Sequence, residues 1–116
     1  MLIKLNFDNI DELFIEQKPI LLVCLQHDRA NKKDLEILEK ISETFSESIK
    51  ICIASLDSMK AVIEAYDVKG TPTFLLLKDG KEHNRILGEV DSNLLTKAIL
   101  SLLSSIGKKT ISKVSL

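Results

Sequence analysis

Three short runs of almost uninterrupted apolar residues dominate the hydrophobic pattern of this chain. They lie at residues 20–25, 51–56 and 73–77. Such runs are typical of strands that are covered on both faces of a sheet. The third run follows Gly70 and Pro72 and ends at an Asp-Gly pair, residues 79–80, which is a strong hairpin signal. The pattern therefore predicts a returning strand at about residues 82–87, and a short first strand at residues 2–6.

Between these runs the apolar residues recur at the spacing of a helix. We predict a first helix over residues 8–17, capped by Asp8, and a second that ends near Phe45. Asp57 is placed to cap a third helix and Asp91 a fourth, which Gly107 is expected to end. The residues predicted to face the core from the first, second and third helices are Ile10, Leu13 and Phe14; Leu35, Leu38, Ile41 and Phe45; and Met59, Val62, Ile63 and Tyr66.

The resulting order, β-α-β-α-β-α-β-β-α, places this chain in the α/β class. Helices between the early strands imply parallel pairing through right-handed crossovers, whereas the late hairpin must be antiparallel. We therefore expect a mixed five-stranded sheet with helices on both faces. Residues 1–107 form the predicted domain, and residues 108–116 are interpreted as a short basic tail whose charge and position favour disorder.

Composition narrows the classes of partner. With 116 residues and a net charge of −1, the chain is one domain without a global positive field that would collect phosphates. We therefore expect no nucleic-acid partner. The start lacks the apolar core of a secretory signal, and no run approaches the roughly 18 apolar residues of a membrane span. These patterns favour a cytoplasmic protein without a membrane partner.

The two cysteines, Cys24 and Cys52, each lie inside an apolar run. Their spacing fits neither a zinc site nor a short redox motif, and free cysteine commonly behaves as a small buried hydrophobe. His27 with Asp28 supplies too few ligands for a zinc site, and His83 is expected to be exposed on the hairpin. The glycines form no phosphate-binding loop. We predict no cofactor and no metal.

Residues 70–80, Gly-Thr-Pro-Thr-Phe-Leu-Leu-Leu-Lys-Asp-Gly, resemble the signature that precedes and covers the fourth strand of thioredoxins. The resemblance extends to Lys18-Pro19 before a buried strand, to Asp57 after the third strand, and to Gly88 after the fifth. It covers almost the whole domain and implies the thioredoxin fold. It also implies a cis peptide bond before Pro72.

The segment that should carry the family's chemistry departs from it. Thioredoxins place Cys-x-x-Cys at the start of the second helix, where partial positive charge lowers the thiol pKa. Here that segment, residues 26–33, contains no cysteine, and the family's buried acid corresponds to Val23. The aromatic residue usual before the motif is missing as well. Dithiol exchange at this position is chemically impossible.

The family's peptide-binding groove has its counterpart in this sequence. In thioredoxins the backbone of the residue before the proline pairs with an extended peptide, and Thr71 and Pro72 occupy that position. The resemblance therefore implies a redox-inactive adaptor or chaperone-like factor that binds a protein or an extended peptide. The predicted groove residues are Gln26, His27, Asp28, Arg29, Ala30, Asn31, Thr71, Pro72 and Gly88.

Several alternatives remain open at this point. Asp28 or Asn31 is placed to cap the second helix, and the nearby Arg29, Lys32 and Lys33 offer an anion site as a second interpretation. An enzymatic alternative uses Cys24 or Cys52 as a reactive thiol. A third alternative is a self-associating structural module, because the last helix has a broad apolar face.

Overall fold

The fold was determined from a computed structural model, which describes residues 2–11, 15, 17–89 and 91–114, with the backbone alone for residues 107–114. Five strands and three helices lie in the described part. The strands are β1 (Leu2–Lys4), β2 (Ile20–Leu25), β3 (Lys50–Ser55), β4 (Thr73–Lys78) and β5 (Lys81–Leu87); the helices are α1 (Lys32–Thr44), α2 (Lys60–Ala65) and α3 (Ser92–Val114).

A single mixed sheet forms the centre of the molecule, in the order β1-β3-β2-β4-β5. Strands β1, β3 and β2 are parallel, and β4 and β5 continue the sheet in antiparallel pairing. The prediction of an α/β fold with a mixed five-stranded sheet is confirmed. Because β2 and β4 are antiparallel neighbours, the last residues of β2 lie beside the first residues of β4 at the same end of the sheet.

Both faces of the central strands are covered. All six residues of β2 are buried, which explains why its sequence is apolar without alternation. Helices α1 and α3 pack on one face, where Leu38 and Ile99 join Val23 and Phe74. Helix α2 packs on the other face, where Val62 lies in a separate cluster. The predicted inward stripe of α1 needs one correction, because Leu35 is 38% exposed.

Some of the predicted helix ends are wrong. Helix α3 runs through Gly107, because a single helical glycine costs only about 1 kcal/mol relative to alanine and a long helix can absorb that. Helix α2 begins after Met59, which makes no side-chain capping bond, so Asp57 does not cap it. Asp91 does cap α3, since its carboxylate accepts the Leu94 amide at 2.8 Å.

The predicted first helix, residues 8–17, lies partly outside the described residues, which do not include 12–14 and 16 and so leave out Leu13 and Phe14. Residues 7–11 form turns, and the side chain of Asn6, rather than Asp8, accepts the amides of Asp8 and Asn9. Within the described residues, no helix is both long enough and apolar enough to cross a membrane.

Candidate functional site

An open groove of about 250 Å³ lies where the end of β2 meets the beginning of β4. It is lined by Leu25, Gln26, His27, Arg29, Ala30, Asn31, Asp34, Thr71, Pro72 and Glu89. Seven of the nine residues predicted for the site, all except Asp28 and Gly88, therefore line one cleft. Sheet topology accounts for this, because residues 26–31 leave β2 and Thr71 and Pro72 enter β4 at the same end of two adjacent strands.

A second cavity of about 290 Å³ adjoins the groove at Thr71 and Pro72. Gly88 lines this cavity rather than the first, together with Arg85 and Leu87. The side chain of Leu87 is 69% exposed, which is high for a leucine on a strand. Thr71 and Pro72 consequently form a ridge between a mixed polar cleft and a more apolar one.

The ridge is held by hydrogen bonds on both sides. The Thr71–Pro72 peptide bond is cis, and the Gly88 amide donates to the Pro72 carbonyl at 2.9 Å. Gly88 has φ of +82°, a conformation that suits glycine. The Thr73 hydroxyl donates to the Gly70 carbonyl at 2.6 Å. Within the described residues, the amide and carbonyl of Thr71 pair with no other backbone group, so both can serve an added strand.

Asp28 does not line the groove; it anchors the opposite wall to β3. Its Oδ1 atom accepts hydrogen bonds from the hydroxyls of Ser55 and, at 2.6 Å, Ser58, and the Lys4 ammonium lies 3.8 Å away. The serine hydrogen bonds hold the pKa of Asp28 below its ordinary value, because they stabilise the carboxylate. The side chain of Asp28 is thus engaged at the end of β3 rather than in the lining of this cavity, and its part in peptide binding stays a prediction.

Asp57 supports the same wall. Its Oδ2 atom accepts the Asp28 amide at 3.2 Å and lies 3.5 Å from His27 Nδ1. The carboxylate predicted to cap α2 therefore holds the groove segment instead. Helix α1 is capped by Asn31, whose Oδ1 accepts the Asp34 amide at 2.8 Å, and this settles the choice between Asp28 and Asn31.

Both thiols lie deep in the sheet. Cys24 and Cys52 are 0% exposed, neither forms a disulfide bond, and they belong to the same core cluster. Cys24 pairs with Ala54 and Leu22 pairs with Cys52, so the cysteines sit two register positions apart on neighbouring strands. Burial raises the pKa of Cys24 to about 12, although Arg85 acts weakly in the opposite direction. A thiol in this state has almost no thiolate at neutral pH.

Sequence reasoning missed Arg85. Its guanidinium contacts Glu82 through two hydrogen bonds of 2.6 Å, and it donates to the carbonyls of Tyr66 at 2.6 Å and Asp67 at 3.3 Å. No local pattern predicts the two contacts with the carbonyls, because they join residues 18 and 19 positions apart. His83 is exposed on β5, as expected. Among the described residues, no group of three or more His, Cys, Asp or Glu side chains is arranged to hold a metal ion.

Comparison with known proteins gives a consistent result. A model of the thioredoxin-like domain matches residues 1–88. The chain is 26% identical over 102 residues to a chloroplastic thioredoxin Y of Oryza sativa subsp. japonica, a match that covers 86% of this chain and 61% of the relative. It is 36% identical over 63 residues to a thioredoxin of Chlamydia caviae, covering 54% of this chain and 61% of the relative.

A chloroplastic thioredoxin of Arabidopsis thaliana is 32% identical over 63 residues, which cover 54% of this chain and 38% of that relative. In these three comparisons the chain thus spans less than two thirds of the relative's length.

Proposed function

Because this chain belongs to the thioredoxin-like family, we propose that it is a redox-inactive member that binds an extended segment of a protein or peptide as an adaptor or chaperone-like factor. The groove between residues 26–31 and the Thr71–Pro72 ridge is the proposed binding site. The proposal also assigns the protein to a reducing compartment, the cytoplasm, where cysteines such as Cys24 and Cys52 stay without a disulfide bond.

One observation carries this proposal: the groove exposes backbone groups that have no backbone partner, and no cysteine lines it. Thr71 offers an amide and a carbonyl in a cleft whose other wall is anchored by Asp28, and the Thr71 hydroxyl bridges the walls by donating to Gln26 Oε1 at 3.4 Å. Docking of an extended segment satisfies such groups as an added strand would. Affinity then requires only modest reorganisation, since both walls are already held in place.

The position of the thiols favours binding over exchange. Thiol–disulfide exchange requires a thiolate that reaches the partner's sulfur. The described groove is lined by ten residues, none of them cysteine, and both cysteines are fully buried. The enzymatic alternative through Cys24 or Cys52 therefore lacks an accessible nucleophile. No observation favours the self-associating alternative or an anion site at the start of α1.

The test combines peptide binding with a redox assay. An array of random extended peptides is screened against the folded protein, and a binding peptide is titrated while the backbone amides are followed by NMR. We expect shifts on both walls, at Gln26, Ala30 and Thr71, and no acceleration of insulin reduction by dithiothreitol.

A matched pair of variants locates the site. Gln26→Trp fills the groove and should weaken binding by more than about tenfold, whereas Gln17→Trp, at an exposed position outside it, should not. Absence of peptide binding, or catalysed insulin reduction, would each refute the proposed function. Equal binding by both variants would move the site elsewhere.

A further inference from the structure

Arg85 connects the edge strand of the sheet to the chain segment that carries the ridge. Its side chain is only 25% exposed, although β5 is mostly exposed, and that of its partner Glu82 is 33% exposed. The two parallel contacts between guanidinium and carboxylate fix the plane of the guanidinium. This orientation directs the remaining contacts of Arg85 away from β5.

Those contacts reach the end of α2. Tyr66 is the C-cap residue of α2 and Asp67 follows it with φ of 54°, so their carbonyls point out of the helix without intrahelical partners. Arg85 donates to both carbonyls. A few residues later the same segment becomes the ridge, and Arg85 itself lines the cavity beside Thr71 and Pro72. The guanidinium therefore joins β5 to the end of α2 beside the ridge.

We propose that Arg85 is a positioning residue for the groove. Held by Glu82, it fixes the segment at residues 66–72 in the position in which the backbone of Thr71 can pair with a bound strand. This inference rests on the proposed binding function. The other end of the ridge is fixed by the Gly88–Pro72 hydrogen bond, so loss of Arg85 frees the ridge on the α2 side alone.

The hydrogen-bond inventory of Arg85 argues against direct contact with an acidic ligand. Four of the five N–H donors of a guanidinium are engaged, two with Glu82 and two with the carbonyls. The Glu82 carboxylate also neutralises the cation within the same cavity wall. A peptide carboxylate would have to displace these contacts before it could pair with Arg85.

The sharpest variant is Arg85→Lys, which keeps the charge and the aliphatic stem but cannot reproduce the planar fork. We expect the folded protein to bind its peptide about tenfold more weakly, as loss of oriented hydrogen bonds of this kind suggests. Amide hydrogen exchange at residues 66–68, whose amides donate to carbonyls of α2, should become faster in the free protein. Glu82→Gln should give a smaller change in the same direction. Lys81→Gln, which removes a cation from the same strand but lines neither cavity, is the matched control.

Affinity is measured well below the thermal midpoint of each variant, so that a role in stability alone lowers the midpoint without changing the affinity. Unchanged affinity for Arg85→Lys, with binding by the wild type intact, overturns this inference and leaves the proposed function standing. Weaker binding restricted to acidic peptides, without faster exchange at residues 66–68, identifies a direct contact and also overturns it. If the wild type binds no extended peptide, the proposed function fails and the inference fails with it.

Discussion

Strand β2 and the segment that follows it are adjacent in sequence but opposite in physical character. Every residue of β2 is buried, whereas residues 26–29 are all exposed and end two residues before Asn31, the cap of α1. Cys24 lies in the first region, in a dry core that raises its pKa to about 12. The second region leads into the start of α1, and the first turn of a helix favours a negative charge.

The difference shows that thiol reactivity depends on place more than on the presence of a sulfur. In this chain the cysteine lies where a thiolate is least stable, and the position that would stabilise a thiolate holds none. The first two predictions below place a thiol at the start of α1 and an acid in β2. The third tests the hydrogen bonds that anchor the exposed segment. They run from the largest expected effect to the smallest.

The first prediction moves a thiol to the helix start. In Lys32→Cys the new cysteine occupies the first residue of α1, where the helix lowers its pKa. It should react with iodoacetamide at neutral pH at least about a thousandfold faster than Cys24 in the folded state, given the ratio of thiolate fractions. Peptide mass spectrometry after timed labelling measures both sites.

Lys40→Cys, on the exposed face of the same helix away from its start, is the matched control and should react at an intermediate rate. Equal rates at positions 32 and 40 would remove the helix start as the cause. Rapid labelling of native Cys24 would contradict its burial and revive the enzymatic alternative.

The second prediction moves an acid into the strand. Val23→Asp buries a carboxylate without a partner at a fully buried position and should lower the free energy of unfolding by about 3–5 kcal/mol at neutral pH. Burial raises the pKa of the new acid in the folded state, so the loss is greatest above that raised pKa. It shrinks as pH falls from there towards the unfolded value of about 3.9, and it is smallest below that value.

Urea unfolding at several pH values measures this loss. Gln26→Asp, three residues later, should change the free energy of unfolding by no more than about 0.5 kcal/mol, since that position is exposed. Similar losses for both variants would mean that the two regions do not differ in polarity as described.

The third prediction concerns the anchor of the exposed segment. The pKa of Asp28 is lowered in the folded state, so the ionised side chain stabilises the fold. This contribution to the free energy of unfolding is complete above the ordinary pKa of 3.8 and is lost as pH falls through the lowered folded pKa. Ser55→Ala removes the largest cause of that shift, so the midpoint of Asp28 should return towards 3.8. Side-chain carboxyl NMR resolves this midpoint.

Ser101→Ala, an exposed serine on α3, should leave the Asp28 midpoint unchanged. A midpoint that stays the same in Ser55→Ala would show that the serine hydroxyl does not hold the carboxylate in solution.

Much of the fold could be predicted because its signals are local. The uninterrupted apolar run of β2, the cap at Asp91 and the hairpin at residues 79–80 each depend on a few neighbouring residues. The positions of Thr71 and Pro72 followed from a family signature. Most of the predicted groove residues also line one cleft, because the family's topology brings residues 26–31 to the ridge.

The residues that sequence reasoning misplaced or missed act over long distances. Asp28 meets Ser55, 27 residues away, only because β2 and β3 are parallel neighbours in register. Arg85 reaches Tyr66 across 19 residues. A charged residue in an exposed region is usually solvated, so neither side chain carries a local signal of its partner. The same reasoning misassigned Asp57 to the cap of α2, when its carboxylate lies against His27 and Asp28.

The parallel and antiparallel neighbours of β2 have a consequence for engineering. Residues 26–31 run from Leu25, the last residue of β2, to the cap of α1. The core packing that holds β2 and α1 is made mainly by residues outside this segment. The interior of a loop tolerates exchange better than the elements it joins, provided that the contacts holding the loop are kept, and here those are the hydrogen bonds of Asp28. This segment is therefore a natural site for grafting foreign recognition sequences, with the ridge serving as an unchanged reference surface.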